Sequence, residues 1–311
     1  MKQPVSFIVL LSLMLTLMLS SIYYFHKDTA PLTHDPNKIR ILCTTSMITD
    51  TVKQIGGDCV EVHGLMGPGV DPHLYKAREG DVHRLAQTHI IFYNGLHLEG
   101  KMATILESMQ QYTPSIALGK ALDPKELITF DTGICDPHIW HDVQLWIQVV
   151  RTVSATLAEH DPKHSNYYQQ NTNNYIAQLT DLNTWIQHHI DTIPEHQRIL
   201  ITAHDAFSYF GKRYGMQVIG LQGISTDAEI STNDIQQLVD LLVEKQIKAI
   251  FVESSIPKRS LQAVQQAAAA RGWPIILGDE LYSDALGNDD ASTYIGMIKH
   301  NVRAIVNGLS S

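Results

Sequence analysis

The tripeptide Asp-Pro-His occurs twice, at residues 71–73 and 136–138. Proline holds its own φ near about −65° and pushes the residue before it out of the helical region. Each copy therefore reads as a stiff, non-helical turn that aims one imidazole, His73 or His138, in a set direction. A solvated loop histidine needs no such rigidity, whereas a metal ligand does. Two more side chains join them by position. His204 ends the apolar run RILITAH, and Asp284 ends PIILGDELYSD. Three imidazoles and a carboxylate suit a divalent ion. Zinc takes nitrogen and oxygen ligands in a tetrahedron, and manganese and iron take the same atoms at higher coordination.

For these four to meet, the elements ahead of them must end on one side. The first half carries β-branched apolar runs at 39–45, 59–65, 89–94 and 114–118, and the second half at 198–203, 216–221, 248–253 and 274–278. Helical patterns separate them; 232–246 and 259–272 are amphipathic at helical spacing. Strands alternating with helices argue for an α/β fold with parallel sheets flanked by helices. Ligands of such sheets gather beyond the carboxyl ends of the strands, where all four candidates fall. Residues 165–193 show one apolar stripe (Tyr168, Tyr175, Leu179, Leu182, Ile186, Ile193) closed by Pro194, which predicts a single long helix. The expected organisation is a lobe over 31–164, a linking helix over 165–193 and a second lobe over 194–311. A helical connection without a Gly- or Pro-rich linker allows little hinge motion.

Composition agrees with a globular protein: 311 residues, 44% hydrophobic, 18% charged, net charge −9. That balance argues against a nucleic-acid partner, which calls for a basic stripe. Residues 1–30 hold a basic start and a long apolar run, and so predict an exported, periplasmic protein. A cleaved signal peptide and an uncleaved membrane anchor both fit. No cysteine lies in or just after the run, which argues against a lipid anchor. Of the three cysteines, Cys43 and Cys59 sit at strand-like positions where a disulfide would leave Cys135 single; three unbridged thiols fit equally well.

The segments GPGVDPHLYKAREGDVHRL, DPHIWHDV, LITAHDAFSYFGKRYGMQVIGLQGIST, AIFVESSIP and ELYSDALG resemble the zinc- and manganese-binding solute receptors of metal ABC transporters, the TroA- and ZnuA-like family. The resemblance runs from about Ile39 to the C-terminus, and the TAHDAFSYF…GLQGIST block is especially similar to the TroA branch. It implies two α/β lobes joined by a backbone helix, with one divalent ion (Zn, Mn or Fe) between them. The protein would be a monomer, not an enzyme, that delivers this ion to a membrane permease. The resemblance carries the ligand roles onto His73, His138, His204 and Asp284. Some members that favour manganese or iron have glutamate at the third position, where this chain has His204.

Two departures stand out. The segment 119–138 lacks the long His- and acid-rich loop of many zinc scavengers. His141 also stands where the family usually has an apolar residue. A solvated histidine in the first turn of a helix is the favoured reading there, over a group supporting the ligands or a spare ligand. Glu253 could orient a ligand histidine or cap a helix, Asp205 reads as a helix cap, and Glu280 is close enough in sequence to substitute for Asp284. The competing function is an exported metal-dependent phosphohydrolase using the His141-Asp142 and His204-Asp205 doublets. Such domains are mainly helical, which the strand-like runs oppose. The chain also has no G-x-S-x-G, P-loop or H-E-x-x-H pattern.

Overall fold

The four apolar runs of the first half become strands β1 (Ile39–Cys43), β2 (Val60–Gly64), β3 (Ile90–Tyr93) and β4 (Ser115–Ala117), all parallel in the order β2-β1-β3-β4. The structure is a computed structural model that describes residues 35–130 and 133–310, so the apolar segment 1–30 lies outside the described residues. Helices α1 (Ser46–Gly56), α2 (Glu79–Gln87) and α3 (Ala103–Met109) link successive strands. β3 is buried along its whole length, as a parallel strand covered on both faces should be. α1 begins where Thr45 Oγ1 accepts the Ile48 N–H, and it turns Met47, Ile48, Val52 and Ile55 inward.

The strand register also answers the cysteine question. Ile39 lies opposite Val60, and Cys43 opposite Gly64. Cys59, one residue before Val60, therefore lies level with Lys38 just ahead of β1, about 16 Å along the strand from Cys43 at about 3.3 Å per residue. That is beyond disulfide reach, and none of the three cysteines is bridged.

Two helices lead out of the first half. α4 (Val143–His160) is capped by Asp142, which accepts the Gln144 N–H at 2.8 Å. α5 (Ser165–Ile190) is the long helix. Its buried stripe of Tyr168, Thr172, Tyr175, Leu179, Leu182, Ile186 and Ile190 steps by three and four residues. It stops three residues short of the sequence expectation. Ile193 is buried all the same, in the turn beyond the helix, and its carbonyl accepts from Arg198 Nε.

In the second half come β5 (Ile199–His204), α6 (Ser208–Tyr214), β6 (Gln217–Gln222), α7 (Thr232–Glu244), β7 (Ala249–Glu253), α8 (Arg259–Ala270), β8 (Ile276–Leu281) and α9 (Tyr294–Leu309). The strand–helix alternation repeats, with β5–β6 and β7–β8 as two parallel hydrogen-bonded pairs lying side by side. At the carboxyl end, where β5 and β7 abut, the His204 N–H goes to the Glu253 side chain and not to a strand carbonyl.

From Ile39 onward the chain forms one compact unit. α5 packs on α1 and α4 of the first half and on α6 and α9 of the second. One continuous apolar core joins them, from Ile41 and Phe92 through Leu179, Leu182 and Ile186 to Met297 and Ile305. Each large apolar side chain buried there contributes about 1.5–3 kcal/mol relative to exposure. Buried polar bonds cross the same boundary: Asp50 on α1 accepts the Tyr294 N–H that opens α9, at 2.8 Å. Among the described residues no helix is long and apolar enough to cross a membrane.

Candidate metal centre

Each of the four candidates stands at or just beyond the carboxyl end of a different strand. His73 follows β2. In its turn Asp71 Oδ1 accepts the His73 N–H at 2.8 Å, and Asp71 Oδ2 accepts from Thr226 Oγ1 of the second half at 2.6 Å. His138 lies after β4, in a loop pinned from both halves. Asn94 Nδ2 donates to the Pro137 carbonyl and the Tyr209 hydroxyl to the Asp136 carbonyl, both at 2.9 Å. Asp136 Oδ1 accepts the His138 N–H at 2.9 Å and lies 2.7 Å from His138 Nδ1. The Asp of each Asp-Pro-His thus closes the turn on the histidine's own amide. In the second copy it also holds the ring, leaving Nε2 to face the cluster.

His204 ends β5, and Glu253 ends β7 beside it. Glu253 Oε1 accepts the His204 N–H at 2.9 Å and Oε2 holds Nδ1 at 2.6 Å. Here the ring-orienting reading of Glu253 is the one the geometry supports. Gly220 on β6 packs against the His204–Asp205 peptide so closely that any Cβ would strike the Asp205 nitrogen, so glycine is required for β6 to approach. Asp284 follows β8. Its Oδ2 accepts from Ser255 Oγ at 3.0 Å and Ser283 Oγ at 3.3 Å, while its buried Oδ1 accepts no hydrogen bond.

Together these loops bring one ligand atom each from His73, His138, His204 and Asp284 within 4.8 Å of one another, all four residues buried. His138 Nε2 is 3.2 Å from His73 Nε2 and 3.3 Å from His204 Nε2. Ligands at about 2.0–2.1 Å from a tetrahedral ion stand about 3.3 Å apart, so the spacing suits a shared cation. Asp284 lies 3.5 Å from both His138 Nε2 and His204 Nε2. A buried carboxylate oxygen with no donor, facing three imidazole nitrogens, is the donor set such an ion needs.

The electrostatics divide the cluster. Burial pulls the His73 imidazole down to about 3, with Asp284 opposing, so that ring is neutral. Burial would also lower His204, but the carboxylates of Glu253 and Asp284 outweigh it and hold it well above its ordinary value. Burial would raise Asp284, yet His204 and then His73 and His138 keep it well below the usual carboxylate range.

Three sequence expectations, for His141, Glu280 and Asp205, are corrected here. His141 is not solvated: it is 1% exposed, stacked on Phe207 at 4.2 Å, with burial pulling its imidazole down to about 3. It also stands outside the quartet of ligand atoms, so it is no spare ligand. Glu280 faces out of the site and pairs with Lys258 at 3.1 Å, leaving Asp284 as the carboxylate of the cluster. The His-Asp doublets build no second centre. Asp142 caps α4 and binds Arg213, and Asp205 accepts from the Ser208 hydroxyl without capping a backbone amide. Sequence reasoning missed Asp136 as the ring partner, and Ser255 and Ser283 on Asp284. The signal for Asp136 was present, as an acid two residues before a histidine in a proline turn; the two serines had none.

The profile described as ZnuA, zinc-uptake complex component A, periplasmic, matches residues 41–308. The manganese-binding lipoprotein MntA of Bacillus subtilis is 44% identical over 275 residues, 88% of this chain and 90% of its own. The zinc-binding protein TroA of Treponema pallidum is 40% identical over 272 residues, 87% and 88% of the two chains. Its solved structure, a periplasmic zinc-binding protein, superposes with a TM-score of 0.86, covering 88% of this chain and 99% of that one. The Fe(III)-bound YtgA of Chlamydia trachomatis, 29% identical, gives 0.79 over 88% and 98%.

Proposed function

Since the chain belongs to the ZnuA family of periplasmic zinc-uptake components, we propose that it captures one divalent transition metal at His73, His138, His204 and Asp284 and delivers it to an ABC transporter permease. It is a receptor and not an enzyme. The ion is its cargo, held between a lobe over 31–164 and a lobe over 194–311 that are joined by the helix at 165–193. The protein acts in the periplasm as a monomer.

The observation that carries this reading is the convergence of the four buried ligand atoms from one strand end and three separate loops. A site with four protein ligands is closed, which suits holding an ion and not activating water on it. The donor set serves zinc, manganese and ferrous iron alike. The relatives' names include manganese for MntA and zinc for TroA, and the solved YtgA structure is Fe(III)-bound.

The test is metal content. The protein, made without a histidine tag and stripped with chelator, is titrated with zinc and with manganese beside His204→Ala. One tight equivalent is expected, lost in the variant. Two equivalents, none, or binding unchanged by the substitution would overturn the ligand set.

A further inference from the structure

The segment His138-Ile139-Trp140-His141 does more than present one ligand. Trp140 Nε1 donates to the Ser283 carbonyl at 2.7 Å, and His141 Nε2 lies 3.0 Å from the same oxygen. An indole nitrogen only donates and a carbonyl only accepts, with two lone pairs. With the proton on His141 Nε2, both rings donate to Ser283 and the carbonyl is saturated. The 3.1 Å between the two ring nitrogens is then the separation of two donors on one acceptor. Ser283 precedes Asp284 directly and gives its own hydroxyl to the Asp284 carboxylate. His141, from the first half, is thus inserted between Phe207 and Ser283 of the second. An apolar residue at this position could fill the space but could not donate.

We propose that His141 is a positioning residue: its Nε2–H clamps the Ser283 carbonyl, sets Asp284 against His138, and slows release of the ion. The inference rests on the reading of the quartet as the cargo site. Its chemistry is an added hydrogen bond to the peptide that carries the only carboxylate in the cluster. The clamp joins two ligands from opposite halves through one short segment, so moving Asp284 away from His138 requires this bond to break.

The test compares His141→Phe, which keeps a ring on Phe207 without the donor, with His141→Gln, whose amide N–H can take the place of Nε2–H. Zinc affinity and release are read by chelator competition. The visible spectrum of the cobalt(II)-loaded protein reports the ligand geometry. His141→Phe is expected to bind zinc about tenfold more weakly, the low end for groups that support metal ligands, through faster release and with altered cobalt bands. His141→Gln is expected to restore both to within about twofold. Unchanged affinity and spectrum in His141→Phe, or the same weakening in both variants, would overturn the clamp. If His141→Phe fails to fold by circular dichroism, His141→Gln decides: a parental spectrum and affinity support the donor role, and a changed one overturns it. If the parent itself takes up no single equivalent, the quartet reading fails and the inference with it, an outcome visible before any variant is made.

Discussion

The two Asp-Pro-His turns share a sequence and differ in how they are held. At 136–138 the turn is tied at both flanking carbonyls, by Asn94 and Tyr209, and its aspartate grips the histidine ring as well as its amide. At 71–73 the aspartate grips only the amide, and its second oxygen reaches across to Thr226. His138 is fully buried, and His73 keeps 5% exposure. The tripeptide supplies stiffness, and its surroundings decide whether the ring is anchored. One turn thus carries an anchored imidazole and the other an imidazole on a latch, whose catch is a single hydroxyl from the opposite half.

The comparison breaks most plainly at the ligands themselves. His138→Ala removes the nitrogen nearest both other imidazoles, and should weaken zinc by more than about a hundredfold, beyond the usual cost of losing a supporting group. His73→Ala should lose less, since no carboxylate holds its ring. Isothermal titration of the two variants side by side measures the gap, and equal losses would erase the distinction. Next comes the aspartate. Asp136→Asn still accepts the His138 amide but loses the charge behind the ring, so about 10–100-fold in affinity should go. Asp71→Asn keeps both of its bonds and should stay close to the parent. A larger loss in Asp71→Asn, measured by chelator competition, would reverse the assignment.

The smallest effect is in pH, and it sets His73 against His204. The metal-free His204 ring is held protonated by Glu253 and Asp284, which outweigh the opposite pull of burial, while His73 is already neutral well below pH 7. A proton must therefore leave His204, and none leaves His73, when an ion enters. Protons compete with the metal, so affinity falls as pH falls. The dissociation constant should rise about tenfold per unit across neutral pH if one proton is released. Titrations in buffers of different ionisation heat count that proton directly. A count near two would mean that a second imidazole of the quartet gives up a proton as well.

The strands and the place where the four side chains meet were legible for the same reason: β-branched runs mark a sheet covered on both faces, and sites of such folds gather where those runs end. β8 was read too early because it carries Asp279 and Glu280 and is partly exposed, so its apolar signal fades before the strand does. α5 was read too long because Ile193 continues the stripe, and burial does not require a helical residue. His141 was misread because a histidine in a buried stack and one in water look alike in a sequence. Phe207 and the Ser283 carbonyl, both far along the chain, tell them apart. The role of Asp136 was half visible, since the proline drew the reading toward backbone stiffness and away from the acid beside it.

The apolar core that runs unbroken across α5 has a consequence for recognition. The halves cannot part without exposing Leu179, Leu182 and Ile186, so the site is expected to open by movement of its loops, a class of motion that runs over about nanoseconds to microseconds, and not by the slower swing of hinged clamshells. Loaded and empty molecules then have nearly the same silhouette. A partner that must accept one and refuse the other cannot judge by outline; it has to read the rim, where the turn bearing His73 meets Thr226.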